Sequence, residues 1–313
     1  MEYFCDGHTL QVGKQLGCGA EGTVFEVDNN HLICMKIFHE NKRQIKRLKI
    51  DHMLHRPIPE ESCFTIAWPL ASVYNEQQEW VGFVMPFVSS STMSLYELTL
   101  SQMNTLDVAM QSKFDSSQTE ILLKIATNLS IAVAKLHSAG VIIGDLKPQN
   151  VLVSIDGRVH LLDTDSMQIG SSFQNDARSP DYSPKEHLQK MKELTTSWDC
   201  FALSVIIYEI LCRIHPFLAS FVDPYEDVTL PQDAIDNDLL VIAKATEQYI
   251  YRRHELHDRF QMLPLEVQDL LLRGLSGTAL VRPTAQEFAI TLTRVIRNIS
   301  APTPAAPILK KKI

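Results

Sequence analysis

The polar and apolar positions first alternate in short runs and later take on a helical period. Residues 11–38 read as strand, glycine-rich turn, strand, polar turn at Asp28-Asn29-Asn30 and strand. Residues 41–54 place Ile45, Leu48, Ile50, Met53 and Leu54 near a helical period, and Pro57–Pro59 ends that helix. Thr65–Val73 and Trp80–Val88 predict two strands around the polar turn Asn75–Glu79. Residues 93–115 carry no clear motif and read as one helix and a loop. Ser117-Gln118-Thr119-Glu120 is a capping box that opens an amphipathic helix running to His137. Asn150–Ile155 and Arg158–Leu162 then flank Asp156-Gly157, a dipeptide that favours a tight hairpin. Asp199 begins a long apolar helix, Leu263–Leu275 predicts another, and residues 301–313 read as a disordered tail.

Length and composition set the scale. With 313 residues, 45% of them hydrophobic, the chain can bury a sizeable core in about two units. A net charge of −8 argues against nucleic acid as a partner. The longest apolar-rich stretch, Phe201–Cys212, is too short to span a bilayer, and no secretory signal is visible at the start. Six scattered cysteines without a C-x-x-C pair predict reduced thiols in a cytoplasmic setting.

The chemistry gathers between Val141 and Asp165. A hairpin brings its two outer ends together, so Asp145, Lys147, Asn150 and Asp163 are expected at one edge. Two carboxylates, an ammonium and an amide at one point call for a charged ligand. A nucleoside triphosphate with Mg²⁺ fits, since Mg²⁺ takes a few carboxylate or amide oxygens and shares the phosphates.

D-x-K-x-x-N followed by L-L-D resembles the catalytic loop and metal-binding segment of eukaryotic-type Ser/Thr protein kinases, and G-D-L-K-P-Q-N with L-L-D-T-D-S is most similar to a bacterial subgroup. Gly17-Cys18-Gly19-Ala20-Glu21-Gly22-Thr23-Val24 matches the glycine flap G-x-G-x-x-G-x-V, and Leu32–Lys36 resembles the strand that carries the phosphate-binding lysine. The resemblance covers residues 12–295, with its elements in kinase order. It implies an α+β, bilobal protein-kinase-like fold: a small β-rich N-lobe with one main helix over 1–88 and a larger, mostly helical C-lobe over 89–300. It also implies a Ser/Thr protein kinase that uses ATP with Mg²⁺ or Mn²⁺ on a protein substrate. Asp145 would be the catalytic base, with Lys147 and Lys36 on the phosphates; Asn150 and Asp163 would hold the metal. Leu16, Gly17, Gly19, Gly22, Val24, Cys34, Met85, Pro86, Val88 and Leu152 would line the nucleotide, with Met85 as gatekeeper. Asp199 would tether the catalytic loop, and Arg282 would pair with Glu186.

Three positions depart from the family pattern. Kinases place a glutamate on the helix after the lysine strand, to pair with that lysine. Here Glu40 precedes the expected helix, and Asp51 is either the substitute or a solvated acid among basic neighbours. Ile143-Gly144-Asp145 replaces H-R-D, a non-RD pattern that argues against switching by loop phosphorylation at sites such as Ser171, Ser172 or Ser179. Asp163-Thr164-Asp165 replaces D-F-G, and Asp165 is expected to cap the next turn rather than aid the metal. The departures keep a second reading open, a pseudokinase that acts as a scaffold; a small-molecule phosphotransferase of the aminoglycoside or choline kinase type is a third.

Overall fold

The computed structural model describes residues 2–88, 91–99, 116–174, 178–189 and 194–300. The expected boundary serines at 89–90, most of the 93–115 segment and the tail at 301–313 lie outside the described residues.

A seven-stranded antiparallel sheet forms the N-terminal part, in the order β2-β1-β7-β8-β5-β4-β3. Its strands are β1 (Tyr3–Cys5), β2 (His8–Leu10), β3 (Val12–Cys18), β4 (Gly22–Val27), β5 (Ile33–Phe38), β7 (Ala71–Asn75) and β8 (Trp80–Pro86). Alternation along β5 sends Met35 and Ile37 to one face, where they meet Val27, Val73 and Val84. Cys34, Lys36 and Phe38 point to the other face, toward α1 (Glu40–Leu54). Lys36 is therefore one side chain of a buried strand face, not an edge lysine in solvent.

Two sequence expectations are corrected here. Ile45 and Leu48, expected on the apolar face of α1, are 74% and 71% exposed; the inward face carries Lys46, Lys49, Ile50 and Met53. Carboxylates beneath the helix compensate Lys46, which a purely apolar period could not anticipate. The run Thr65–Val73 is not one strand: it breaks at Trp68-Pro69, where Pro69 has no N–H to give a ladder and the Trp68 indole donates to the Met53 carbonyl at 3.0 Å. Its first part, β6 (Phe64–Ile66), joins a second sheet ordered β6-β12-β11-β9, with β9 at Thr92–Ser94, β11 at Val151–Ser154 and β12 at Val159–Leu161, while β10 (Val141–Ile142) pairs apart from it with Gln168–Ile169.

The C-terminal part is mostly helical. Helix α2 (Ser116–Ser138) packs against α3 (Thr196–Cys212) and the last helix, α5 (Ala285–Ser300). Trp198 to Cys212 are buried on every side of α3, which fits a core helix with no polar stripe. Helix α4 (Leu265–Gly274) packs on α3 as well. Arg282, with its side chain fully buried, grips Glu186 through two parallel bonds of 2.5 and 2.9 Å. Glu186→Ala leaves that guanidinium with neutral partners such as Ser276 O at 3.0 Å and the Phe201 ring, and with no carboxylate partner among the described residues. The expected loss is about 3 kcal/mol of unfolding free energy, the lower end for a broken buried pair, read from urea melts.

Candidate active site

The β11–β12 hairpin pairs Val151 with Leu161 and Val153 with Val159, and turns at Gly157 with φ +82°. Its open end is closed by the Leu162 N–H donating to the Asn150 carbonyl at 2.9 Å, which sets Asn150 beside Asp163. The Asn150 amide donates through Nδ2 to the Asp145 carbonyl at 3.1 Å, leaving its oxygen as the hard donor of the group. Asp163 sits in the left-handed region, at φ 55° and ψ 41°, with its carboxyl 39% exposed. An aspartate held there costs on the order of 1 kcal/mol or more, a strain found mainly at functional positions.

Asp145 is buried, and Lys147 Nζ lies 2.7 Å from its Oδ2. Its Oδ1 is buried and has no hydrogen-bond partner among the described residues. Lys147 also donates to Ser179 Oγ at 3.0 Å, so a serine expected in an ordinary loop stands at the catalytic stretch. Asp199, fully buried at the start of α3, accepts from the N–H groups of Ile143 and Gly144, both at 2.7 Å. His137 Nε2 adds a third bond to the same carboxylate at 2.9 Å, and the Trp198 indole donates to the Gly144 carbonyl at 3.0 Å. Gly144 has φ +74°, which glycine adopts without a side-chain penalty. Only the end of a helix was legible at His137; its place against Asp199, across 62 residues, had no local signal.

At the glycine-rich turn, the Gly19 N–H donates to the Gly22 carbonyl at 3.0 Å. A Cβ on Gly22 would lie 2.3 Å from the Ile37 carbonyl, so β5 demands glycine there, whereas Gly17 and Gly19 look onto open space. Cys34 and Met85 are paired across β5 and β8, both buried, and the Cys34 thiol lies 3.7 Å from the Pro86 carbonyl. Val24, Val88 and Leu152 are half-buried and Leu16 is exposed at the end of β3.

The lysine strand has an unexpected partner. Lys36 Nζ lies 2.6 Å from Asp165 Oδ1 and 3.3 Å from Asp163 Oδ1. Burial works against this ammonium, but the carboxylates of Asp165, Asp163 and Glu21 outweigh it and hold its pKa above the ordinary lysine value. Asp165 is 1% exposed and its carboxylate goes to Lys36 and Lys46 rather than to a turn, which corrects the expected cap. Lys46 Nζ reaches Asp165 Oδ2 at 3.4 Å, the Asp165 carbonyl at 3.2 Å and Glu21 Oε2 at 2.6 Å. Burial and the neighbouring Lys46 charge lower Lys49 to about 8. Asp51 faces away, half-exposed and 3.9 Å from Arg47, so it is the solvated acid and not the substitute glutamate.

Below the site, Tyr182 donates to Glu209 on α3, 3.2 Å from either carboxyl oxygen. Burial is the main force that raises Glu209 from 4.5 to about 8. Between those values the folded state keeps a proton that the unfolded chain releases, so this group's contribution to stability falls as pH rises from 4.5 to about 8. Glu209→Gln is expected to raise the melting temperature relative to the parent at pH 8, with the gain shrinking toward pH 5; a pH-independent difference would contradict this.

Comparison with known proteins agrees with the geometry. The protein kinase domain family model matches residues 10–290, and the chain belongs to that family. Protein kinase YegI of Escherichia coli O157:H7 is 25% identical over 97% of this chain and 47% of the relative. The Ser/Thr-protein kinase ROP18 of Toxoplasma gondii is 27% identical over 66% of this chain and 42% of the relative. The chain thus spans about half the length of the curated relatives it matches. In the solved structure of the ROP18 kinase domain in complex with AMP-PNP and sucrose, the likeness covers 95% of this chain and 84% of that one, with a TM-score of 0.63 at 18% identity; this bears on the fold alone. The bilobal protein-kinase fold is established by these matches together with the sheet and helices above. Among the described residues, no helix is long and apolar enough to cross a membrane.

Proposed function

We propose that the chain is an ATP-dependent Ser/Thr protein kinase of non-RD type, transferring the γ-phosphate to a protein hydroxyl. The observation that carries this reading is the buried Asp145 Oδ1, which lacks a partner among the described residues while Lys147 holds the other oxygen. An orphaned carboxylate oxygen is where a substrate hydroxyl can donate, and Asp145 then orients it and accepts its proton. Lys147 faces the charge that moves onto the transferred phosphoryl, and Lys36 holds the α- and β-phosphates. Open space over Gly17 and Gly19 suits capture of phosphate oxygens by backbone N–H groups. The Pro86 carbonyl and the Val88 N–H would meet the adenine, and Leu16, Val24, Cys34, Met85 and Leu152 would flank its ring, Cys34 and Met85 being paired across β5 and β8. The Asn150 amide and the Asp163 carboxylate are hard oxygen donors that fit Mg²⁺, with Mn²⁺ as a substitute. Bound there, the ion would neutralise phosphate oxygens. The bacterial relatives support a bacterial source, and the scattered cysteines support a reducing cytoplasm.

The test is transfer of radiolabelled γ-phosphate by the purified protein with Mg²⁺ or Mn²⁺, alone and with a generic basic protein, beside Asp163→Ala. Label on serine or threonine that disappears in the variant supports the reading. Absence of label while ATP still raises the melting temperature replaces it with a nucleotide-binding pseudokinase.

A further inference from the structure

We infer that Asp165 positions Lys36 in place of a helix glutamate, and that Lys46 ties this carboxylate to Glu21 on the glycine-rich turn. The inference rests on the kinase reading above and assigns the residues that hold its phosphate-binding lysine.

The charge order across this junction is inverted. In the resembled kinases the helix brings the anion. Here the inward face of α1 brings cations, Lys46 and Lys49, and the anion comes from the segment after β12. The chain of contacts runs Lys36–Asp165–Lys46–Glu21, at 2.6, 3.4 and 2.6 Å. It joins β5, the turn after Asp163, α1 and the glycine-rich turn through one carboxylate that is 1% exposed.

Local structure explains how the third residue of D-T-D can do this. Asp163 turns the chain left-handed, and Thr164 Oγ1 donates to the Ala67 carbonyl at 2.6 Å, pinning the short turn Thr164–Ser166. Asp165 is thereby aimed under β5. Lys36 and Lys46 both stand over the Phe38 ring, at 5.5 and 5.9 Å from its centroid, so the ring separates the ammoniums from the apolar floor of Trp80 and Phe83. Asp163 is the second carboxylate at Lys36, more distant and 39% exposed. It is the one available to turn toward a metal ion while Asp165 keeps the lysine in place.

The experiment compares Asp165→Asn, Lys36→Ala and their double variant in the full chain. It reads affinity for a fluorescent ATP analogue without turnover, kcat and KM for ATP, and the melting curve. Misplacing a phosphate-binding group costs on the order of 100-fold in kcat/KM, so a loss of about that size is expected for Asp165→Asn, with weaker analogue binding. Because both residues act as one unit, the double variant should fall no further than Lys36→Ala alone. A structural role would instead make the two losses multiply. Lys46→Glu with Asp165→Gly returns the carboxylate to the helix, and should recover at least about tenfold of the loss of Asp165→Gly alone. That comparison decides the matter if Asp165→Asn melts below the assay temperature. Parent-like kcat/KM in Asp165→Asn beside an impaired Lys36→Ala would overturn the inference and leave the kinase reading standing. Parent-like activity in Lys36→Ala and in Asp145→Ala would instead overturn the reading itself.

Discussion

Asp145→Ala is expected to lower the turnover number for phosphotransfer by roughly 10² to 10⁴ while leaving ATP affinity within about threefold. The asymmetry follows from where the atoms lie. Asp145 Oδ1 faces no donor among the described residues, so no hydrogen bond of the ground state depends on it. It is placed to take a hydrogen bond from a hydroxyl that arrives with the second substrate. Loss of such a contact removes orientation and proton acceptance, which matter in the transition state and little for nucleotide binding. Lys147 keeps Ser179 Oγ at 3.0 Å, so its ammonium does not lose every partner. The melting temperature should hold or rise, because a buried carboxylate oxygen with no donor is a cost to the fold. Initial rates and a nucleotide titration on the same preparation give both numbers. A parallel fall in kcat and in affinity would place Asp145 in the nucleotide site and remove it as the base.

The hairpin that joins Asn150 to Asp163 was legible because its parts are close in sequence. Asp145, Lys147, Asn150 and Asp163 lie within nineteen positions, and the Asp156-Gly157 turn between them has its own signature. A hairpin with a known turn brings its ends together whatever surrounds it. Lys36 stood out as an isolated charge in an apolar run after a glycine turn, and it lies on the buried face of β5. The partner of Lys36 was not legible, because Asp165 is 129 residues away and its direction depends on the Thr164 anchor and the left-handed Asp163. Periodicity even pointed the wrong way on α1. Ile45 and Leu48 are apolar and exposed, while Lys46 and Lys49 are buried, and for Lys46 the burial follows the carboxylates beneath the helix. The N-terminal hairpin Tyr3–Leu10 was missed for another reason: its strands are three residues each, too short for a period to register.

Asp199→Ala is expected to cost about 4 kcal/mol of unfolding free energy and most of the activity, although the residue touches no reacting atom. Its carboxylate takes three bonds at once, from the backbone N–H groups of Ile143 and Gly144 and from His137 Nε2. Alanine removes the acceptor from two buried backbone donors, each worth about 1–3 kcal/mol when left unmade. Asparagine is the informative control. It keeps one carbonyl oxygen but turns an NH₂ toward a donor, so it should lie between the parent and alanine. Activity falls with stability for a geometric reason. Gly144 is adjacent to Asp145, and its left-handed φ of +74° is held by Asp199 on one side and the Trp198 indole on the other. With one side released, the loop relaxes and the Asp145 carboxyl moves with it. Since a shift near 1 Å costs on the order of 100-fold, kcat should drop even at temperatures where the variant is fully folded. Urea melts with an unchanged slope, followed by kcat measured well below the melting temperature, separate the two effects. An Asp199→Ala variant that loses less than about 1 kcal/mol, or that keeps parent-like kcat while folded, would mean the loop is held by something other than this carboxylate.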